Sequence, residues 1–83
     1  MTHDEILKRV SELAAEQVGV PVEQIAPATH FVNDLSFDSL DAVEYSMELE
    51  DEFSISIPDE QIEKMATVED AVEYVEQNLH AAA

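Results

Sequence analysis

Apolar side chains open this chain in a helical rhythm: Ile6, Leu7, Val10, Leu13, Ala14 and Val18 recur at intervals that place them on one face. Thr2 and Glu5 have the spacing of a reciprocal N-terminal cap, and Gly19 supplies a stop, so a first helix is predicted between them. Pro21 and Pro27 then break the pattern. Residues 20–36 read as a long connection in which Val22, Ile25, Phe31 and Leu35 fold back onto the core. A loop of that length usually has a function or anchors of its own.

Asp38 is placed to cap a second helix running from Ser39 to about Phe53. Ser54-Ile55-Ser56-Ile57-Pro58 interrupts it; Ile55 and Ile57 alternate as in a strand, but one short strand has no partner, so the stretch is predicted as an extended linker. Pro58 suits the first turn of a short third helix ending near Met65. Thr67 and Asp70 repeat the capping-box spacing before a last helix through Leu79, with Val68, Ala71, Val72, Val75 and Leu79 on its inner face. Residues 1–80 form a single expected domain, and the alanines at 81–83 read as a frayed tail.

Drawn as a wheel at about 100° per residue, the second helix has three arcs. Ala42, Tyr45, Ser46, Leu49 and Phe53 face the expected core, while Leu40, Val43 and Met47 fall on a separate apolar arc. Beside that arc runs a row of acids, Asp41, Glu44, Glu48, Asp51 and Glu52, whose like charges at spacings of three and four repel one another. The helix itself contains no basic residue, so the row suits a partner better than it suits the fold. The competing reading makes Leu40, Val43 and Met47 extra core and the acids a solvated face.

Charge sharpens that contrast. Three Lys and Arg stand against 20 Asp and Glu, a formal net charge of −17 on 83 residues. Such a surface repels nucleic acid and anionic membranes and attracts proteins with basic patches. The 46% hydrophobic content, at helical spacing, is enough for one small core rather than disorder. With no cysteine, the chain has no disulfide, no Cys-based zinc site and no thiol nucleophile. The first residues lack the basic and apolar regions of a signal peptide, and no apolar run has membrane-spanning length, so a cytoplasmic protein without membrane insertion is expected.

Ser39 stands at the predicted start of the second helix, where free backbone N–H groups and the positive end of the dipole favour an anion. The run from Phe31-Val32-Asn33-Asp34-Leu35 through Ser36-Phe37-Asp38-Ser39-Leu40-Asp41-Ala42-Val43-Glu44 resembles the modification site of acyl carrier proteins. The similarity continues, in register, through Met47, Leu49-Glu50-Asp51-Glu52-Phe53, Ile57-Pro58-Asp59-Glu60 and Glu63-Lys64-Met65-Ala66-Thr67-Val68-Glu69-Asp70-Ala71.

The resemblance implies an all-α protein, a small four-helix bundle with a long first loop and a short third helix. It also implies a 4'-phosphopantetheine arm, taken from coenzyme A and attached at Ser39. By position it assigns a partner surface to Asp38, Leu40, Asp41, Val43, Glu44, Met47, Glu48 and Asp51, with Ile57 near it. The implied partners are a phosphopantetheinyl transferase and the synthases, reductases, dehydratases or acyltransferases that handle acyl thioesters. The chain itself would be a non-catalytic monomer. Ser36 and Phe37 depart from the Gly and small residue usual in the fatty-acid branch. A bulky apolar residue before Asp-Ser-Leu is familiar in polyketide-type carriers, whereas Asp41-Ala42-Val43-Glu44 looks like the fatty-acid type. Phe37 is expected either to pack over the loop or to contact a partner.

Other chemistries fit poorly. Phe37-Asp38-Ser39-Leu40-Asp41 is no nucleophile elbow, and His3, His30 and His80 are isolated, as surface or loop histidines are, with no metal-ligand spacing. A calcium loop starting at Asp34 would put Ser39 where glycine is needed and Tyr45 where glutamate is needed. The remaining alternative is an acidic interaction module or nucleic-acid mimic, which would not need the Ser39 hydroxyl.

Overall fold

The computed structural model describes residues 2–82. It contains helices α1 (His3–Val18), α2 (Ser39–Phe53), α3 (Asp59–Lys64) and α4 (Val68–Ala82), with a 3-10 turn at Val22–Gln24. The expected all-α, four-helix architecture is the one observed, and among the described residues β-structure is limited to an isolated bridge between His30 and Thr67. α4 runs three residues beyond Leu79, as alanine's helix propensity favours. The expected tail at 81–83 therefore begins on a helical turn; Ala83 and the His80 side chain lie outside the described residues.

Local chemistry sets the helix ends. The Thr2 hydroxyl accepts the Glu5 N–H at 3.2 Å and the Glu5 carboxylate accepts the Thr2 N–H at 2.9 Å. These bonds hold the Glu5 carboxyl below its ordinary pKa. Gly19, at φ 73°, closes α1 in the left-handed conformation that a side chain disfavours. At α4, Asp70 N–H donates to the Thr67 hydroxyl at 3.2 Å, while the Asp70 carboxylate accepts from Ala66 and Thr67 at 3.0 and 3.1 Å.

The core is built where the periodicities converge. Ile6, Val10, Leu13 and Ala14 of α1 meet Tyr45, Leu49 and Phe53 of α2 and Val68, Ala71, Val72 and Val75 of α4, all buried. α1 packs most extensively against α4 and then against α2. The six-residue α3 buries no residue fully, although Ile62 leans on the core. In the loop, Phe31 is buried and Ile25 and Leu35 are half-buried as expected, but Val22 is exposed because the 3-10 turn entered through Pro21 leaves it outside.

The loop is fastened mainly by backbone. Phe31 N–H donates to the Ala66 carbonyl at 3.0 Å, and the N–H groups of Val68 and Glu69 donate to the carbonyls of Thr29 and Pro27 at 3.0 and 2.9 Å. Those last two donors open α4 and have no partner within it, so the loop supplies what a helix start lacks.

Ion pairs across helices are few. Arg9 of α1 reaches Glu52 of α2 at 3.0 Å and Glu12 at 3.3 Å. Its bond to Glu52 holds the guanidinium above and the carboxyl below their ordinary pKa values. His3, at the start of α1, pairs with Glu76 of α4. The Glu76 hydrogen bond and charge raise the His3 pKa, Glu69 and Asp4 add to the effect, and desolvation opposes it.

A histidine whose pKa is higher folded than unfolded stabilises the fold fully below its unfolded pKa, and that contribution disappears as pH rises through the folded value. Wild type should therefore melt higher than His3→Gln at about pH 6, and the two should converge by about pH 8. Thermal melts of both proteins across that range check this; a difference independent of pH would contradict it.

Candidate functional site

The segment before α2 is wound into a tight turn. The His30 carbonyl accepts the N–H groups of Asp34 and Leu35 at 2.9 and 3.2 Å, and the Asp34 carboxylate accepts the His30 N–H at 2.7 Å. The His30 ring accepts the Asn33 N–H at 3.2 Å, which makes it part of this turn. Ser36 then adopts φ 59°, a left-handed conformation costly for a residue with a Cβ. This turn delivers Phe37 inward and leaves Asp38 and Ser39 exposed.

Phe37 retains only 5% of its exposure. Its ring lies 5.1 Å from that of Phe31 and 5.5 Å, edge-on, from that of Tyr45, while Phe31 and Tyr45 are 5.3 Å apart. Of the two sequence readings, packing is therefore the one the structure supports. The buried Tyr45 hydroxyl donates to the Val10 carbonyl at 2.8 Å. Burial, with a smaller contribution from the Glu48 charge, pushes this phenol far above its ordinary pKa, so it remains a neutral donor.

Asp38 caps α2 as expected, accepting the Asp41 N–H at 2.8 Å. Asp41 returns the bond, accepting the Asp38 N–H at 3.2 Å. The reciprocal role of Asp41 was missed in the sequence, although its position three residues after the cap was the available signal. Ser39 is the first residue of α2, and its hydroxyl makes no hydrogen bond with the described residues. It lies on the wall of a groove of about 660 Å³ between the loop, α2 and α3. Phe31, Phe37, Val43, Ile62 and Met65 give that groove an apolar lining, and Asp38, Asp59 and Glu63 an acidic one. An unengaged hydroxyl at a helix N-terminus, next to an apolar groove, fits a phosphodiester followed by a flexible arm.

The apolar arc of α2 is surface, not extra core: Leu40 is 65% exposed, Met47 57% and Val43 45%. Asp38, Glu44, Glu48 and Asp51 are exposed beside them and Asp41 is half-buried. Ile57 requires a correction, since it is only 5% exposed and belongs to the core. Its N–H donates to the Glu50 carboxylate at 2.7 Å, which closes the linker onto α2 and turns the side chain inward. It cannot form part of a contact surface in this conformation.

The acidic row is also less free than the sequence suggested. Glu52 is engaged by Arg9, and the Gln17 side-chain amide of α1 donates to Asp41 at 3.3 Å and to Glu44 at 3.1 Å. Glu48 and Asp51 make no side-chain hydrogen bond with the described residues. Gln17 carried no local signal, because its acids lie 24 and 27 residues away. Val32, exposed and lining the groove, was read only as part of the motif. Among the described residues, no group of three potential ligands is placed to hold a metal ion, and no helix is long and apolar enough to cross a membrane.

Two comparisons with known proteins match most of the chain. The family model described as the phosphopantetheine attachment site matches residues 8–75. Among solved structures, the acyl carrier protein of Enterococcus faecalis, described there for its high thermal stability, is 36% identical in sequence. The match covers 94% of this chain and 99% of that one, with a TM-score of 0.79.

The burial pattern separates the roles of three residues. Phe37→Ala should destabilise the fold by about 3–5 kcal/mol, as removal of a core aromatic does, whereas Met47→Ala should change stability by no more than about 0.5 kcal/mol. Ser36→Gly, relieving the left-handed residue, should add about 0.5–1 kcal/mol. Urea titrations of the three variants give these differences; equal losses for Phe37→Ala and Met47→Ala would refute the assignment of core and surface.

Proposed function

Since this chain belongs to the acyl carrier protein family and carries acyl groups on covalent 4'-phosphopantetheine, we propose that it is itself non-catalytic, with Ser39 as the attachment point and α2 as the face its enzymes recognise. The observation that carries the reading is the exposed Ser39 hydroxyl, without a partner among the described residues, at the N-terminus of α2 beside an apolar groove. When bound, the arm supplies a terminal thiol that carries acyl groups as thioesters. With no cysteine in the chain, that thiol is the protein's only one.

The chain's own residues present the site. Asp38 and Asp41 cap the helix so that Ser39 begins its first turn, and the Phe31, Phe37 and Tyr45 cluster holds the preceding turn in place. Ser39 Oγ forms the new bond to phosphorus as the pyrophosphate bond of coenzyme A breaks. The adenosine bisphosphate portion leaves with the bonding pair, and the serine proton passes to a base of the phosphopantetheinyl transferase. That transferase is the first partner; synthases, reductases, dehydratases or acyltransferases of fatty-acid, lipid or polyketide synthesis follow.

Charge and exposure support one surface for all of them. Glu44, Glu48 and Asp51 speed encounter with a basic enzyme face, while Leu40, Val43 and Met47 provide the apolar contact that slows release. Asp38 and Asp41 serve the cap and the face together. Residues 1–80 work as one domain, a reading supported by the single shared core, and the carrier reading makes it a monomer of the cytoplasm.

Incubation with coenzyme A, magnesium and a broad-specificity phosphopantetheinyl transferase should add one phosphopantetheine and one titratable thiol to wild type and none to Ser39→Ala. Intact mass and thiol titration decide it; modification of both proteins would place the arm elsewhere. Glu44→Lys combined with Glu48→Lys should slow loading on the order of tenfold and flatten its salt dependence. Unaltered loading kinetics in that variant would refute the docking face.

A further inference from the structure

Gln17 contributes an unexpected element to the Ser39 end of α2. One amide nitrogen of α1 has two N–H groups, and each meets a different carboxylate, Asp41 Oδ1 at 3.3 Å and Glu44 Oε1 at 3.1 Å. Asp41 and Glu44 are one turn apart on α2, where two like charges would otherwise turn away from each other. Neither is paired with Arg9, which is committed to Glu12 and Glu52. A neutral donor therefore holds together two anions without neutralising either.

The second oxygen of Asp41 continues the connection, accepting the Asp38 N–H in the cap that immediately precedes Ser39. Gln17 is thereby linked through Asp41 to the backbone from which the attachment serine projects. The Gln17 side-chain carbonyl has no hydrogen-bond donor among the described residues, so an acceptor remains free beside the two carboxylates.

We propose that Gln17 is a positioning residue of the docking face, holding Asp41 and Glu44 in the joint orientation that a guanidinium or ammonium group of the phosphopantetheinyl transferase engages. This rests on the reading of α2 as the transferase's docking face. Pre-ordering the two acids removes a conformational cost that binding would otherwise carry, so the effect belongs to association and not to phosphoryl transfer. The recognition surface accordingly extends from α2 onto α1.

The test is a steady-state cycle with wild type, Gln17→Leu, Glu44→Gln and the double variant, using the transferase and coenzyme A. Gln17→Leu retains side-chain bulk and leaves the net charge at −17. Its KM as transferase substrate should rise roughly three- to tenfold, the effect of one or two hydrogen bonds, with kcat unchanged. In the Glu44→Gln background the same substitution should lose most of that effect, because Gln17 acts through the acid. Circular dichroism melts of the four proteins verify that the comparison is made on folded chains, and Gln17→Met replaces Gln17→Leu if the latter melts below the assay temperature. A wild-type KM in Gln17→Leu, or an undiminished effect when Glu44 is already neutral, overturns the proposal. If Glu44→Gln and the Glu44→Lys, Glu48→Lys variant are both loaded like wild type, the docking reading itself fails. Slowed acid variants beside an unaffected Gln17→Leu would refute the role of Gln17 alone.

Discussion

Tyr45 meets three parts of the chain at once. Its ring packs against Phe31 in the loop and Phe37 just before α2, and its hydroxyl reaches the Val10 carbonyl of α1. A buried phenol without that acceptor would forfeit much of what its ring contributes, so the hydrogen bond supports the aromatic cluster. The cluster in turn allows Ser36 to remain in its left-handed conformation, because the buried Phe37 ring offsets the strain of the turn. Asp38 and Ser39 are exposed at the end of that turn as a consequence of what is buried immediately before them.

The molecule's charge is distributed around the same framework. With 20 acids and three Lys or Arg, most carboxylates have no cation available to them. Arg9 is spent where α1 and α2 meet, at Glu52, and His3 where α1 meets α4, at Glu76. The outer part of α2, at Glu48 and Asp51, makes no such contact with the described residues. Arg9 and His3 thus sit at helix junctions, while the exposed acids Glu44, Glu48 and Asp51 lie beside Leu40, Val43 and Met47. A partner bringing basic residues there relieves repulsion and covers apolar surface in one step.

Much of this was legible from sequence because it is local. The Thr2–Glu5 and Thr67–Asp70 boxes, the Gly19 stop and the inward faces of α1 and α4 all depend on residues within one or two turns of each other. The core arc of α2 followed from the same period, and the family resemblance supplied the arrangement of the helices. What was less visible is nonlocal. Periodicity located Tyr45 on the core arc but gave no sign of its bond to Val10, and nothing near Gln17 announced Asp41 and Glu44. Ile57 misled because position along the family pattern does not determine which way a linker side chain turns; the Glu50–Ile57 bond does. Phe37 was ambiguous until the three rings were seen together.

The backbone bonds between the loop and the start of α4 bear on how the protein is made. Phe31, Thr29 and Pro27 find their partners at Ala66, Val68 and Glu69, 35, 39 and 42 positions downstream. A chain emerging from the ribosome can form α1 and α2 early, since their hydrogen bonds are short-range. The turn that presents Ser39 closes on short-range bonds of its own, but the Phe31–Ala66 bond that fastens it to the fold waits until residue 66 has been synthesised and has folded back. A nascent chain stopped before residue 66 lacks the acceptors and donors that fasten the segment leading to its serine. The attachment segment is thereby anchored by residues synthesised well after it.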